Sequence, residues 1–95
     1  MNKSDLIDSV AESAGVSKAD VARILDAMMD SITDALQKGD TVNLVGFGSF
    51  LISQRAARMG KNLHTNEQIS IPAATVPKFR PGKKLKDAVK GVRMP

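Results

Sequence analysis

The sequence predicts an α+β protein in which a two-helix hairpin precedes a three-stranded antiparallel sheet that extends into a β-ribbon arm, followed by a short C-terminal helix. Apolar side chains recur at helical spacing in residues 1–40. Residues 41–82 instead carry short runs of strand-forming residues separated by Gly, Pro and Asn. A chain of 95 residues is long enough for one domain and not for two, so we expect one domain over 1–95.

Two helices are predicted before residue 40. The first follows Asn2, a good N-cap, and ends at Gly15. The second follows Ser17, where the spacing Ser17-x-x-Asp20 resembles a capping box with Asp in place of Glu. Gly39 is a suitable C-terminal stop for it. The apolar residues at spacings of three and four are Leu6, Ile7, Val10, Ala11 and Ala14 in the first helix and Val21, Ile24, Leu25, Met28, Ile32, Ala35 and Leu36 in the second.

The link between these helices is very short, so we expect them to pack as a helical hairpin. Met29 and Ile32 widen the apolar face of the second helix beyond what one short partner helix would cover. This excess favours a second subunit, and Met28 and Ile32 are candidates for a dimer core.

The strands are predicted from runs of strand-forming residues and from the Asn, Gly and Pro residues that interrupt these runs. A short strand covers 41–44, a second runs from Leu51 to about Lys61, and a third includes Ile69, Ile71 and Val76. Asn62 to Asn66 has turn composition. Prolines at 72 and 77 are tolerated only on exposed edges, and a two-stranded ribbon has only edges. We therefore assign 51–75 to a protruding arm, 1–50 and 76–90 to the body, and 91–95 to a tail.

The body is completed by a turn at Arg80-Pro81-Gly82 and a helix from Lys83 to Lys90. The three aromatic residues are all phenylalanines. Their rings could stack on bases, but filling the core between sheet and helices is the better interpretation. We therefore assign Phe47, Phe50 and Phe79 to the dimer core, together with Met28 and Ile32.

The charges of the chain are segregated. Residues 1–40 carry four basic and eight acidic side chains, a net of −4, and residues 41–95 carry ten basic and two acidic ones, a net of +8. Together these give the formal net charge of +4. A basic second half favours a polyanionic partner, and nucleic acid in particular.

The composition leaves little basis for catalysis or for a cofactor. The chain has one His, no Cys and no Gly-rich phosphate loop. His64 falls in the predicted turn without a carboxylate beside it, so a surface polar contact is its expected role. The carboxylates of Asp26, Asp30 and Asp34 are expected to form a solvated stripe and not a cation site. We expect no metal, no small-molecule substrate and no membrane span, and a soluble cytoplasmic protein.

The arm carries the groups suited to binding. Arg55, Arg58 and Lys61 could neutralise phosphates along a ribbon that lies in a groove, and Asn62 and Thr65 could donate or accept hydrogen bonds at its tip. Leu63 is the one large apolar residue of the turn. It could be a wedge that enters between base steps, or an ordinary exposed leucine.

The chain resembles the HU/IHF family of bacterial histone-like DNA-binding proteins, and HU most of all, without gaps from Met1 to about Lys90. The segments that carry the resemblance are MNKSDLID at the start, NLVGFGSF at 43–50, RAARMGKN at 55–62 and IPAATVPKFRPGKKLKDAVK at 71–90. The resemblance implies an intertwined dimer whose helical body is a platform and whose two arms reach around duplex DNA. It also implies bending with little sequence preference, and nucleoid association. The DNA contacts it implies are Arg55, Arg58, Lys61, Asn62, Leu63, His64 and Thr65 on the arm and Lys3, Arg80, Lys83 and Lys86 on the body.

Four arm positions depart from the family pattern. Leu63 stands where the family usually has the wedge proline, and Asn66 where a turn glycine is usual. Glu67 and Ser70 both lower the positive charge of the arm relative to that pattern. A leucine lacks the fixed φ of proline, so its insertion should cost more entropy. We therefore expect duplex binding with reduced or altered bending.

Three questions stay open from the residues alone. The same basic arm could bind RNA, although RNP-type aromatics and a GxxG clamp are absent from the sequence. It could also be a structural oligomerisation module that pairs with another subunit. A homodimer is the simplest assembly, and a heterodimer with a paralogue is the other.

Overall fold

The computed structural model describes residues 1–94 and confirms the α+β architecture. Three helices and five strands follow one another in the order predicted, with two strands more than expected. They are α1 (Lys3–Ala14), α2 (Lys18–Gln37), β1 (Val42–Leu44), β2 (Gly48–Arg55), β3 (Arg58–Lys61), β4 (Gln68–Ile71), β5 (Ala74–Pro81) and α3 (Lys83–Val89).

The chain divides into two compact units, the first spanning Met1–Ala35 and the second beginning at Leu36. In the first unit, α1 begins with a complete capping box in which the side chains and backbone amides of Asn2 and Asp5 bond reciprocally. Gly15 ends the helix in the left-handed region, at φ 68°. The hydroxyl of Ser17 accepts from the amide of Asp20 at 3.2 Å, as the predicted start of α2 requires.

The two helices form the expected hairpin. Lys3 Nζ lies 2.6 Å from Asp26 Oδ1, and Lys18 Nζ lies 3.2 Å from Asp8 Oδ1, so the first residue of each helix forms an ion pair with the middle of the other. Exposed pairs of this kind contribute about 0–1 kcal/mol each. They align the helices more than they stabilise them.

An apolar groove runs between these helices, and the unit does not cover it. Among the hydrophobic residues described, only Ala11 and Val21 are buried. Ile24 is 59% exposed and Met28 48% exposed. The residues lining the groove are Leu6, Val10, Val21, Ile24, Leu25 and Met28.

The second unit contains a three-stranded antiparallel sheet of order β1-β2-β5. The pairing of β1 with β2 ends at Val42 and Phe50, so from Leu51 outward β2 has only β5 as its neighbour. Leu51 pairs with Lys78. This pair is therefore the first in the part of the sheet that has only two strands.

The two long arm strands expected from the sequence are each broken. The strand predicted from Leu51 to Lys61 is interrupted at Ala56 and Ala57, and its partner at Pro72 and Ala73. The ladder stops at the pair Arg55–Ala74 and resumes at Arg58–Ile71, so the two breaks face each other. Pro72, which has no N–H to donate to a ladder, lies in the break of the returning strand.

The predicted turn at Arg80–Gly82 was also wrong in its extent. Strand β5 continues through Arg80 and Pro81, which pair with Ser49 and Gly48. Since β5 is an edge strand, its prolines leave no neighbouring strand without a donor. The chain turns only at Gly82, whose amide donates to the carbonyl of Phe47 at 2.8 Å.

The aromatic rings contact one another on one face of this sheet. The ring centroid of Phe79 lies 4.9 Å from that of Phe50 and 5.5 Å from that of Phe47. Gly48 is buried beneath them, and a Cβ there would meet Phe79 Cζ at 2.6 Å. Phe47 is nevertheless 47% exposed and Phe79 37% exposed, so the cluster is incompletely covered.

Candidate nucleic-acid interface

The outer arm is the ribbon β3–β4, an antiparallel pair with no third strand. Its register pairs Arg58 with Ile71 and Lys61 with Gln68. The turn that closes it is held by backbone bonds, from the Asn62 amide to the Glu67 carbonyl at 2.8 Å and from the Asn66 amide to the Asn62 carbonyl at 2.7 Å. The tip therefore has a defined geometry.

Asparagine residues build this turn. The Asn62 side chain accepts from the amide of His64 at 2.9 Å, which is an Asx-type turn. Asn66 has φ 64°, the left-handed conformation that asparagine tolerates and most residues avoid. The Asn62 side chain is thus used within the turn, although the sequence predicted it as a DNA contact. Leu63 projects from the same turn and is 91% exposed.

The arm cations differ in how they are placed. Arg58 and Lys61 are exposed, and neither forms an ion pair among residues 1–94. Arg55 is half-buried beside the break, where its guanidinium donates to the Pro72 carbonyl at 3.3 Å. Its Nε is buried without a hydrogen-bond partner. Arg58 and Lys61 are free to contact an anion, whereas Arg55 is engaged with the arm itself.

Two of the predicted body contacts are paired with carboxylates. Lys3 bonds to Asp26, and Lys83 Nζ lies 2.6 Å from Asp87 Oδ2 within α3. Arg80 and Lys86 are exposed and, within residues 1–94, have no such partner. Binding of DNA phosphates by the lysines would therefore compete with an existing ion pair.

Sequence reasoning missed Lys78. This residue pairs with Leu51 at the base of the arm and is exposed. It is two residues from Arg80 on β5, so both side chains lie on the sheet face opposite Phe79. Only the observed extent of β5 shows this grouping, because the sequence pattern placed Arg80 in a turn and not on the strand that carries Lys78.

Over residues 1–94 no group of three or more His, Asp or Glu side chains could hold a metal ion. No helix there is both long and apolar enough to traverse a bilayer. His64 is exposed, and its backbone amide donates to the side-chain oxygen of Asn62, two residues before it.

The family model described as "Bacterial DNA-binding protein" matches residues 1–90. The chain belongs to this bacterial DNA-binding protein family. Members of the family are structural DNA-binding proteins, which agrees with the expectation that this chain is not an enzyme. The family model ends at residue 90, which is also about where the resemblance in the sequence ends.

Relatives of known identity are similar over nearly all of the chain. The DNA-binding protein HU of Geobacillus stearothermophilus is 58% identical, over 95% of this chain and 100% of that protein. The DNA-binding protein HU-beta of Escherichia coli strain K12 is 56% identical, over 94% of this chain and 99% of that protein. Among solved structures, the cocrystal of Anabaena HU with DNA matches with a TM-score of 0.90 and 46% identity, over 96% of this chain and 99% of that one.

Proposed function

We propose that this family member is an architectural protein that binds duplex DNA without sequence specificity, wraps it and bends it through the minor groove. The observation that carries the proposal is the outer arm, where the exposed side chains of Arg58, Lys61 and Leu63 follow one another. Within residues 1–94 neither cation is paired with an acid. The fold similarity to an HU chain crystallised with DNA supports the same ligand. The contacts are mostly with phosphate, which gives affinity without reading bases.

The binding unit in this proposal is a homodimer. Within residues 1–94 only two hydrophobic residues are buried, whereas the groove residues Ile24 and Met28 and the ring of Phe47 are extensively exposed. Exposed apolar surface of this extent is typical of chains that complete their core with a second subunit. A second copy would cover Met28, Ile32 and the phenylalanine cluster, and would supply the second arm.

Leu63 is the bending element in this proposal. An apolar side chain at the end of an arm can enter between base steps and unstack them. Leucine has rotatable bonds that the proline ring lacks, so it loses more conformational freedom on insertion. The expected result is a smaller or more variable bend than a proline would give. Repeated wrapping and bending of this kind would compact the nucleoid, in the cytoplasm.

Binding across a salt series to matched intact and nicked duplexes tests the proposal. We expect affinity for both DNAs, a steep loss of affinity with salt, and tighter binding to the nicked duplex because a nick lowers the cost of bending. Matched duplex RNA serves as the control ligand. Equal affinity for duplex RNA would favour the RNA-binding alternative, and no binding even at low salt would leave only an oligomerisation role.

Gel filtration with and without DNA tests the assembly separately. A dimer without DNA is the expected result. A monomer at micromolar concentration would contradict the homodimer, and larger protein-only assemblies would support the oligomerisation module.

A further inference from the structure

The ladder of the arm has a gap where two short segments face each other. Residues 56–57 separate β2 from β3, and residues 72–73 separate β4 from β5. No backbone hydrogen bond joins these two described segments to each other. The backbone alone therefore restrains only weakly the angle between the outer ribbon, β3–β4, and the inner ribbon formed by β2 and β5.

The side chain of Arg55 spans this gap. Arg55 is the last residue of β2 and lies opposite Ala74, the first residue of β5. Its guanidinium reaches past Ala74 and donates from Nη2 to the carbonyl oxygen of Pro72 at 3.3 Å. Within residues 1–94 this is the one side-chain hydrogen bond to either segment of the gap. Since Pro72 directly follows Ile71, the last residue of β4, the bond connects the inner ribbon to the end of the outer ribbon.

The burial of Arg55 shows that its side chain is fixed in this position. Arg55 is half-buried although the next two residues, Ala56 and Ala57, are exposed. Its Nε is buried without a hydrogen-bond partner. A buried donor without a partner costs free energy, so the rest of the side chain must gain enough from its contacts to remain there. Ala74, directly opposite, carries a single methyl group and leaves room for the arginine stem.

A neighbouring side-chain bond offers a comparison. Gln54 Nε2 donates to Thr75 Oγ1 at 2.9 Å, and the two residues are directly paired in the ladder. Successive residues of a strand point to opposite faces, so this bond lies on the face of the ribbon opposite Arg55. It joins the two strands of the inner ribbon but does not span the gap.

We propose that Arg55 is a positioning residue whose guanidinium clamps the gap and holds the outer ribbon at a fixed angle to the inner ribbon. It acts through the Pro72 carbonyl, before any partner is bound. A charged donor forms a stronger hydrogen bond than a neutral one, so a single guanidinium bond can restrain a junction that lacks backbone bonds. The clamp is a property of the free protein and does not depend on the proposed function.

Residual dipolar couplings of backbone amides in the free protein test the clamp. In the parent protein we expect one alignment tensor to fit both β3–β4 and the sheet strands β2 and β5. Arg55→Met keeps a long stem without a donor, and should give the outer ribbon a smaller tensor while that of the sheet is unchanged. A parent protein that already needs two tensors, or equal outer-ribbon tensors in parent and variant, would overturn the inference.

Two further variants separate the donor from a general loosening of the arm. Gln54→Met is the matched control and should leave the outer-ribbon tensor unchanged, because its bond does not span the gap. Arg55→Lys keeps a charged donor and should recover part of the alignment. Equal losses in Gln54→Met and Arg55→Met would contradict a particular role for Arg55. A loss in Arg55→Lys as large as that in Arg55→Met would show that the donor is not what holds the ribbon.

The guanidinium itself gives a readout that does not require any variant to fold. We expect slow rotation and separate Nη signals for Arg55 at a temperature where those of the exposed Arg58 are averaged. Averaged Arg55 signals under the same conditions would contradict the clamp. NOEs within the turn of residues 62–67 verify that the outer ribbon stays folded in each variant.

Discussion

Lys3 and Asp26 form an ion pair of 2.6 Å between α1 and α2, although Lys3 is among the cations expected to contact DNA. A phosphate that approaches Lys3 therefore competes with the Asp26 carboxylate for its charge. Lys83 is held in the same way by Asp87. Part of the positive charge of the body is thus neutralised until DNA competes for it.

Removing the competing carboxylate should strengthen binding. We expect Asp26→Asn to raise duplex affinity roughly two- to five-fold at low salt, the range that an exposed ion pair of up to about 1 kcal/mol allows. The gain should shrink as salt rises. Fluorescence anisotropy titrations measure it.

Asp20→Asn is the matched control for this prediction. It changes the net charge equally but releases Arg23, a cation outside the proposed interface. Equal gains in affinity for both variants would mean that only net charge matters and that Lys3 has no particular contact.

Leu63 should control bending more than affinity. We expect Leu63→Ala to reduce the bend, and Leu63→Pro to increase it, because the ring is rigid and its φ is already fixed. End-to-end fluorescence energy transfer on a labelled duplex measures the bend. Met94→Ala removes another well-exposed apolar side chain, 87% exposed in the tail, and should have no effect. An unchanged bend in Leu63→Ala would remove Leu63 from the mechanism.

Arg58 should contribute one phosphate contact per chain. Each neutralised phosphate steepens the slope of log affinity against log salt by about 0.9, so Arg58→Ala should flatten it by about 0.9 per chain, or about 1.8 per dimer. Salt titrations of duplex binding measure the slope. Arg23→Ala, on the acidic helix α2, should leave it unchanged. An unchanged slope in Arg58→Ala would mean that the Arg58 side chain does not contact DNA phosphates.

Asn66 should tolerate glycine and reject β-branched residues. Its φ of 64° is free of penalty for Gly but costs other residues about 1–2 kcal/mol. We expect Asn66→Gly to keep the tip geometry and Asn66→Val to lose the amide bond to Asn62. Backbone chemical shifts and NOEs of residues 62–67 report this. A native-like turn in Asn66→Val would show that the tip does not depend on the left-handed residue.

Gly48 should be essential for the aromatic cluster. A Cβ at this position would lie 2.6 Å from Phe79 Cζ and 2.7 Å from the Arg80 carbonyl oxygen, and the latter cannot move without shifting β5. We expect Gly48→Ala to lower the free energy of unfolding by about 1–3 kcal/mol, measured by denaturation at fixed protein concentration. Gly91→Ala, where a Cβ meets nothing within 4 Å, should change it by less than about 0.5 kcal/mol.

Sequence patterns were sufficient for the helices, the tip turn and the binding class. Caps at Asn2 and Ser17 and the asparagine-rich turn act through bonds between residues close in the chain, so local reading recovers them. The segregation of charge follows from the order of the charged residues along the chain and needs no coordinates. Leu63 was correctly placed at an exposed tip because the turn that carries it is also formed by local bonds.

Only the tertiary structure decided the relations between residues far apart in the chain. Three such relations are the facing breaks at 56–57 and 72–73, the hydrogen bond from Arg55 to the Pro72 carbonyl, and the ion pair of Lys3 with Asp26. Which residues of β3 and β4 share a face of the outer ribbon depends on which residue lies opposite which. A shift of one residue in that register would turn the side chains of one strand to the other face, because side chains alternate along a strand.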